Sequence, residues 1–248
     1  MRLSNQVAVI TGAASGIGLA CCQLFKSEGA VVAALDLEIS PALSSFYAVR
    51  CDVADSTSAQ TIAEQLKVEV GQPDLLVNCA AVADYGNTLS ITAKSFRSIF
   101  DVNVLGAVNM FQTFVPAMQV RGMGSVINVA SITGILGAPG LSAYAASKGA
   151  LITLTRTMAL EVAENNVRVN CVCPASVDTP MLRASFDRSD NPELARTLNI
   201  KRHPLGRLGT PDDVARLILF LSSDEASWIT GATYVIDGGA SIARRWQE

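Results

Sequence analysis

The run Val7-Ala8-Val9-Ile10-Thr11-Gly12-Ala13-Ala14-Ser15-Gly16-Ile17-Gly18 constrains the fold more than any other part of the chain. Its first four residues are continuously apolar, as in a buried strand, and residues 17–28 carry apolar side chains at helical spacing. Between strand and helix lies a turn with glycines spaced GxxxGxG. Such a turn lets backbone N–H groups and a helix N-terminus approach a pyrophosphate closely. Turn geometry alone accounts for one glycine but poorly for three at this spacing. Gly12, Ser15, Gly16, Ile17 and Gly18 are therefore candidate cofactor ligands.

The rest of the chain repeats this alternation. Strand-length apolar runs occur at 6–11, 31–36, 46–51, 75–79, 125–130, 168–173 and 233–237, and helical segments at 17–28, 56–70, 93–121, 143–165 and 211–222. Continuously apolar strands separated by amphipathic helices predict a seven-stranded parallel sheet covered on both faces, a Rossmann-type doubly wound α/β fold. At 248 residues the chain suits one domain, 1–248. The connection after Asp36 is short and contains Pro41, so a loop is expected there in place of a crossover helix. Segments 101–121 and 143–165 are apolar on more than one face, which predicts burial against other subunits.

Asp36 ends the second strand, 18 residues beyond Gly18, where a carboxylate accepts both ribose hydroxyls of NAD. Its charge would repel a 2′-phosphate, and neither Ala14 nor Leu37 supplies a cation to offset that repulsion, so NAD is expected over NADP. Asp52 and Val53, after the third strand, would flank the adenine, with a helix cap as the alternative role of Asp52. The fourth strand leads into Asn78-Cys79-Ala80-Ala81, whose small residues let the chain pass close to a cofactor.

Tyr144 and Lys148 stand four apart at the start of a helical segment and so share a face. Ser131 ends the preceding strand. Hydride transfer to a ketone leaves an alkoxide that needs a proton, and the reverse reaction needs a base. Tyr144 serves both purposes if its pKa falls, which Lys148 and a positive nicotinamide would bring about. Ser131 would hold the substrate oxygen. Asn103, with Gly106 behind it, would loosen the helix locally and hold a water that passes protons to Lys148.

With the glycine turn, Ser131 and Tyr144-Ala145-Ala146-Ser147-Lys148 in place, the chain resembles the short-chain dehydrogenase/reductase family from Val7 to about Gly239. The resemblance implies that Thr11 to Gly18 bind the cofactor, that Ser131, Tyr144, Lys148 and Asn103 are catalytic, and that Tyr144 and Lys148 also touch the cofactor. It further implies that Val177 and Thr179, in the segment opened by Pro174, meet the nicotinamide carboxamide, and that the protein is a homotetramer built on the two apolar helices. Two departures stand out: Asn78-Cys79-Ala80-Ala81 replaces Asn-Asn-Ala-Gly, and Pro174-Ala175 replaces Pro-Gly.

Loops at the carboxyl ends of the strands would form the substrate pocket. Residues 181–206 read as a mobile lid, and an arginine there (Arg183, Arg188 or Arg196) would suit an anionic substrate group, with a solvated mixed-charge helix as the alternative. Tyr85 and Met181 would wall the pocket opposite Ile135 to Ala138. His203 is expected to be structural, and Trp246, in Ala243-Arg244-Arg245-Trp246, to pack on a neighbouring subunit.

The six cysteines contain no CxxC pair and lie far from the single histidine, so no metal site is expected and the thiols read as reduced core residues. A net charge of −3 without a basic block argues against nucleic-acid and membrane-surface partners. No apolar run reaches the ~20 residues of a membrane helix, and the N-terminus lacks a secretion signal. The expected protein is a cytoplasmic NAD-dependent oxidoreductase acting on a small secondary alcohol or ketone. An NADP-dependent 3-oxoacyl reductase and a non-catalytic nucleotide-sensing module are the alternatives.

Overall fold

The computed structural model describes residues 1–243. In chain order it contains β1 (Val7–Thr11), α1 (Gly16–Ser27), β2 (Val31–Asp36), β3 (Tyr47–Arg50), α2 (Ser56–Glu69), β4 (Leu75–Asn78) and α3 (Ala93–Phe100). A wide π-type turn, Asp101–Leu105, leads into α4 (Gly106–Arg121), followed by β5 (Gly124–Val129), α5 (Thr133–Leu136), α6 (Ser142–Val162) and β6 (Val167–Pro174). The chain continues through α7 (Pro180–Phe186), α8 (Pro192–Ile200), α9 (Pro211–Ser222) and β7 (Thr233–Ile236).

All seven strands pair in parallel in the order β3-β2-β1-β4-β5-β6-β7. Every residue of β1 and β4 is buried, which explains their unbroken apolar character. On one face α1 and α9 pack together over a core that includes Phe25, Ile10 and Ile218. On the other, α2, α4 and α6 cover Leu76, Met110, Phe114 and Val169. The β2–β3 connection is a loop with one 3-10 turn, Pro41–Leu43, as the proline implies. Among the described residues no helix is long and apolar enough to cross a membrane.

Two segments differ from expectation. The single helix expected over 93–121 is interrupted at Asp101–Leu105. Residues 181–206, expected to form a mobile lid, contain two capped helices. Thr179 accepts a hydrogen bond from Leu182 N–H and Asn191 from Leu194 N–H, each followed by a proline at the first helical position. The packing expected of Arg244, Arg245 and Trp246 lies outside the described residues.

The register brings Thr11, Asp36, Asn78, Val129 and Pro174 to one edge of the sheet. Strand order reverses between β1 and β4, and the carboxyl ends there open the crevice in which doubly wound sheets bind ligands.

Candidate active site

The glycine turn is shaped by close approach. Gly12 has φ +65°, and a Cβ on it would stand 2.8 Å from the main chain of Ala80, while a Cβ on Gly18 would stand 2.1 Å from the Gly12 carbonyl oxygen. Side chains at either position would push the turn off the sheet. Thr11 ties the turn to the neighbouring strand, its Oγ1 accepting from Cys79 N–H and Ala80 N–H, both at 3.1 Å. Ser15 is the N-cap of α1 but its side chain makes no cap bond, and the first turn of the helix has no acidic residue. The first turn of α1 thus brings no acidic side chain or side-chain cap of its own to its positive end, which fits a pyrophosphate.

Asp36 stands at the far end of this turn. Its Oδ2 accepts from Ala14 N–H at 2.8 Å and its Oδ1 from Glu38 N–H at 3.1 Å, and Leu37 beside it is exposed. Asp52 forms a local turn, its Oδ1 accepting from Ala54 N–H at 2.9 Å. The cap of α2 is Asp55, which accepts from Thr57 N–H, so the capping alternative for Asp52 is corrected. Val53 is buried against Gly106, with its carbonyl held by Asn109 Nδ2 at 2.8 Å. Asn78 donates to Asn128 Oδ1 at 2.9 Å, and Asn128 to Thr155 Oγ1 at 3.0 Å. Val177 bridges to Gly209, and the Thr179 methyl lies 3.1 Å from where a Cβ on Gly16 would sit. The segment opened by Pro174 therefore closes over the glycine turn, leaving a crevice between them.

The reacting groups meet at the other end of the crevice. Pro174 O accepts from Ile132 N–H at 3.0 Å, fixing the loop that carries Ser131. A Cβ on Gly134 would stand 2.6 Å from the main chain of Lys148, so this loop lies directly on α6. Ser131 Oγ accepts from Thr133 N–H and Oγ1–H at 3.2 and 3.1 Å, and its hydroxyl stands against the Tyr144 phenol. Lys148 is 2% exposed; its ammonium donates to Val129 O at 2.8 Å and lies 5.6 Å from the centre of the Tyr144 ring. Ser131, Tyr144 and Lys148 thus lie together beside a glycine turn on a doubly wound sheet.

The family model described as enoyl-(acyl carrier protein) reductase matches residues 12–241. The chain belongs to the short-chain dehydrogenase/reductase family. It is 39% identical over 254 residues to the 3-oxoacyl-(acyl-carrier-protein) reductase FabG of Thermotoga maritima, covering 98% of this chain and all of the relative. It is 38% identical over 251 residues to 2-(S)-hydroxypropyl-CoM dehydrogenase 3 of Xanthobacter autotrophicus, covering 96% of this chain and 97% of that one. The ligand-free structure of Thermoplasma acidophilum aldohexose dehydrogenase superposes with a TM-score of 0.94 at 33% identity, covering 99% of this chain and 98% of the other.

Neither departure from the usual pattern of a short-chain dehydrogenase strains the backbone here. Ala81 and Ala175 are not among the residues with positive φ, so glycine is not required at either place. Asn103 sits in the wide turn, buried, where the expected loosening of the helix occurs. Its amide accepts from Val82 N–H at 2.8 Å and donates to Val82 O and Ser147 Oγ, both at 3.0 Å. Both N–H groups of that amide and one acceptor position of its oxygen are used, which clamps the loop to the helix. Ser147, which donates to Tyr144 O at 2.7 Å, was missed as a partner of Asn103, although it lies within the Tyr-to-Lys motif.

The protein's own groups do not lower the Tyr144 pKa. Burial raises the phenol to about 12 against the opposing Ser131 hydrogen bond. Burial also lowers Lys148 to about 8, and among the described residues no carboxylate lies within 4.0 Å to offset it. For the chain without a nicotinamide, desolvation thus outweighs the one lowering influence, the Ser131 hydrogen bond. His203 is buried, with Nδ1 at 2.9 Å from Asn199 O. Met181, Tyr85, Ile135 and Leu136 are all partly exposed. Among the described residues no group of three metal-ligating side chains occurs.

Proposed function

We propose that this short-chain dehydrogenase interconverts a secondary alcohol and its ketone with NAD. One observation carries the reading: Ser131, Tyr144 and Lys148 gather at one end of a crevice whose other end is Asp36 on the glycine turn. When bound, the nicotinamide accepts or donates the hydride. Gly12, Ser15, Gly16, Ile17 and Gly18 would hold the pyrophosphate at the start of α1. Asp36 would accept from the adenosine ribose hydroxyls and disfavour a 2′-phosphate, with no cation at Leu37 to offset it. Asp52 and the Val53 main chain would border the adenine, Asn78 and Ala80 would line the floor, and Pro174, Val177 and Thr179 would face the carboxamide.

Tyr144 takes a proton from the alcohol or returns one to the carbonyl oxygen, while Ser131 holds that oxygen in place. Lys148 favours the phenolate and reaches the nicotinamide-side ribose. Asn103 positions the 80–86 loop and the first turns of α6. The whole chain acts as one dinucleotide-binding and catalytic unit, with 181–206 as its substrate lid. Exposed Val120 on α4 and Leu160 on α6 support a homotetramer through these helices, and six free thiols suit the reducing cytoplasm.

The Thermotoga relative's name favours a second reading, reduction of a 3-oxoacyl group, for which NADP is the cofactor to test. Turnover of a panel of secondary alcohols with NAD⁺ and NADP⁺, followed by absorbance of the reduced cofactor, separates the two. The expected result is turnover with NAD⁺ that Tyr144→Phe lowers by roughly 10²–10⁴-fold. Preference for NADP⁺ supports the second reading, and cofactor binding without turnover supports a sensing module.

A further inference from the structure

Three loops from different strand ends converge at the mouth of the crevice. Gly86 N–H donates to Gly140 O at 2.9 Å and Ser142 Oγ to Gly86 O at 3.1 Å, so the loop after β4 is laced to the loop entering α6. Residues 187–191, between α7 and α8, lie over this pair, and the Arg188 guanidinium carbon stands 4.6 Å from the centre of the Tyr85 ring. Ser142, which holds the residue after Tyr85, opens the helix that carries Tyr144 two positions later. Asp84 anchors the ring's loop, one oxygen accepting from Tyr85 N–H at 2.8 Å and the other bonded to Ser95 Oγ.

The lid arginines differ in what they have left to offer. Arg183 is paired with Asp178 at 2.7 Å, whereas Arg196 has no carboxylate within 4.0 Å among the described residues but also no aromatic ring to orient it. Arg188 has no hydrogen bond and no carboxylate within 4.0 Å among the described residues. Attraction to a ring face orients a guanidinium without consuming its N–H donors. The result is a cation positioned on the Tyr85 ring with its donors free, on a loop tied to the start of the helix that carries Tyr144.

We propose that Arg188, oriented by Tyr85, is an oxyanion subsite, and that the preferred substrate is a secondary alcohol bearing a carboxylate. A single guanidinium matches a planar monoanion in two-point contact. The nearby Asp84 charge disfavours a dianion such as a phosphate monoester. This deepens the reading of the site as an alcohol dehydrogenase and rests on it.

The test has a binding arm and a turnover arm. In the first, protein saturated with NADH is titrated calorimetrically with butanoate, against Arg188→Ala and Tyr85→Leu. Binding is expected to weaken roughly 10–100-fold in each variant, with Tyr85→Phe close to the parent because the ring face remains. In the second, short hydroxy acids with the hydroxyl at successive carbons are each compared with the alkanol lacking the carboxylate. The ratio of kcat/KM for acid over alkanol should fall by a similar factor in Arg188→Ala. Equal butanoate binding by parent and Arg188→Ala, or an unchanged ratio, overturns the subsite. Tyr144-independent or absent turnover, with butanoate binding still dependent on Arg188, would leave the subsite standing and sink the dehydrogenase reading instead.

Discussion

Lys148 carries a charge with no counter-ion within 4.0 Å among the described residues. Its ammonium is buried, bonded only to Val129 O, and its pKa is lowered from 10.5 to about 8. The unfolded chain holds this proton more tightly, so the charged form costs stability below about pH 8. The cost shrinks as pH rises from about 8 to 10.5 and vanishes above that range. The interval corresponds to roughly 3 kcal/mol. Lys148→Met leaves Val129 O without its donor, which offsets about 1 kcal/mol. Near pH 7 the substitution should therefore raise Tm by several degrees while abolishing turnover. Thermal melts across pH should show the gain fading toward pH 10.5, and a pH-independent difference would contradict the burial account. The same physics explains why the phenol, whose depression the sequence suggested, is raised by its surroundings: spacing reveals a neighbour's charge but not how much water is removed from both.

At the scale of elements, the ends of helices decide what the strands can carry. Arg168 on β6 donates to Leu221 O at 2.7 Å, Ser222 O at 3.3 Å and Ser223 O at 3.1 Å, closing the carboxyl end of α9. Arg168→Met should cost roughly 1–3 kcal/mol and lower Tm by several degrees, and Arg168→Lys should recover only part, since an ammonium cannot fork to three carbonyls. A melt indistinguishable from the parent would show that water serves these carbonyls equally well. In sequence Arg168 is the polar start of an apolar run, and nothing local points to carbonyls more than fifty positions away. The wide turn at Asp101–Leu105 was legible in part, from Asn103 with Gly106 behind it. The packing reason was not: a Cβ on Gly106 would stand 2.7 Å from Val53.

For the molecule as a whole, the outer faces of α4 and α6 leave Val120 89% and Leu160 81% exposed. Burying such side chains is worth roughly 1.5–3 kcal/mol each, which argues for association through these helices. Val120→Arg combined with Leu160→Arg should lower the mass seen by light scattering while leaving far-ultraviolet circular dichroism unchanged. An unchanged mass would remove these helices from any interface.

The amino-acid order alone determined the seven strands, the parallel sheet and the glycine turn, because buried parallel strands must be continuously apolar and a phosphate-binding turn must lack side chains. It also marked Ser131, Tyr144, Lys148 and Asp36, whose spacing along regular elements is itself geometry. Only the tertiary structure decided that Asn103 is a clamp, that 181–206 holds two capped helices, that burial governs the Tyr144 and Lys148 protons, and that Arg188 rests on the Tyr85 ring while Arg183 is paired with Asp178. Each of these depends on contacts between segments distant in the chain, where desolvation and the pairing of charges are set by packing and have no local signature.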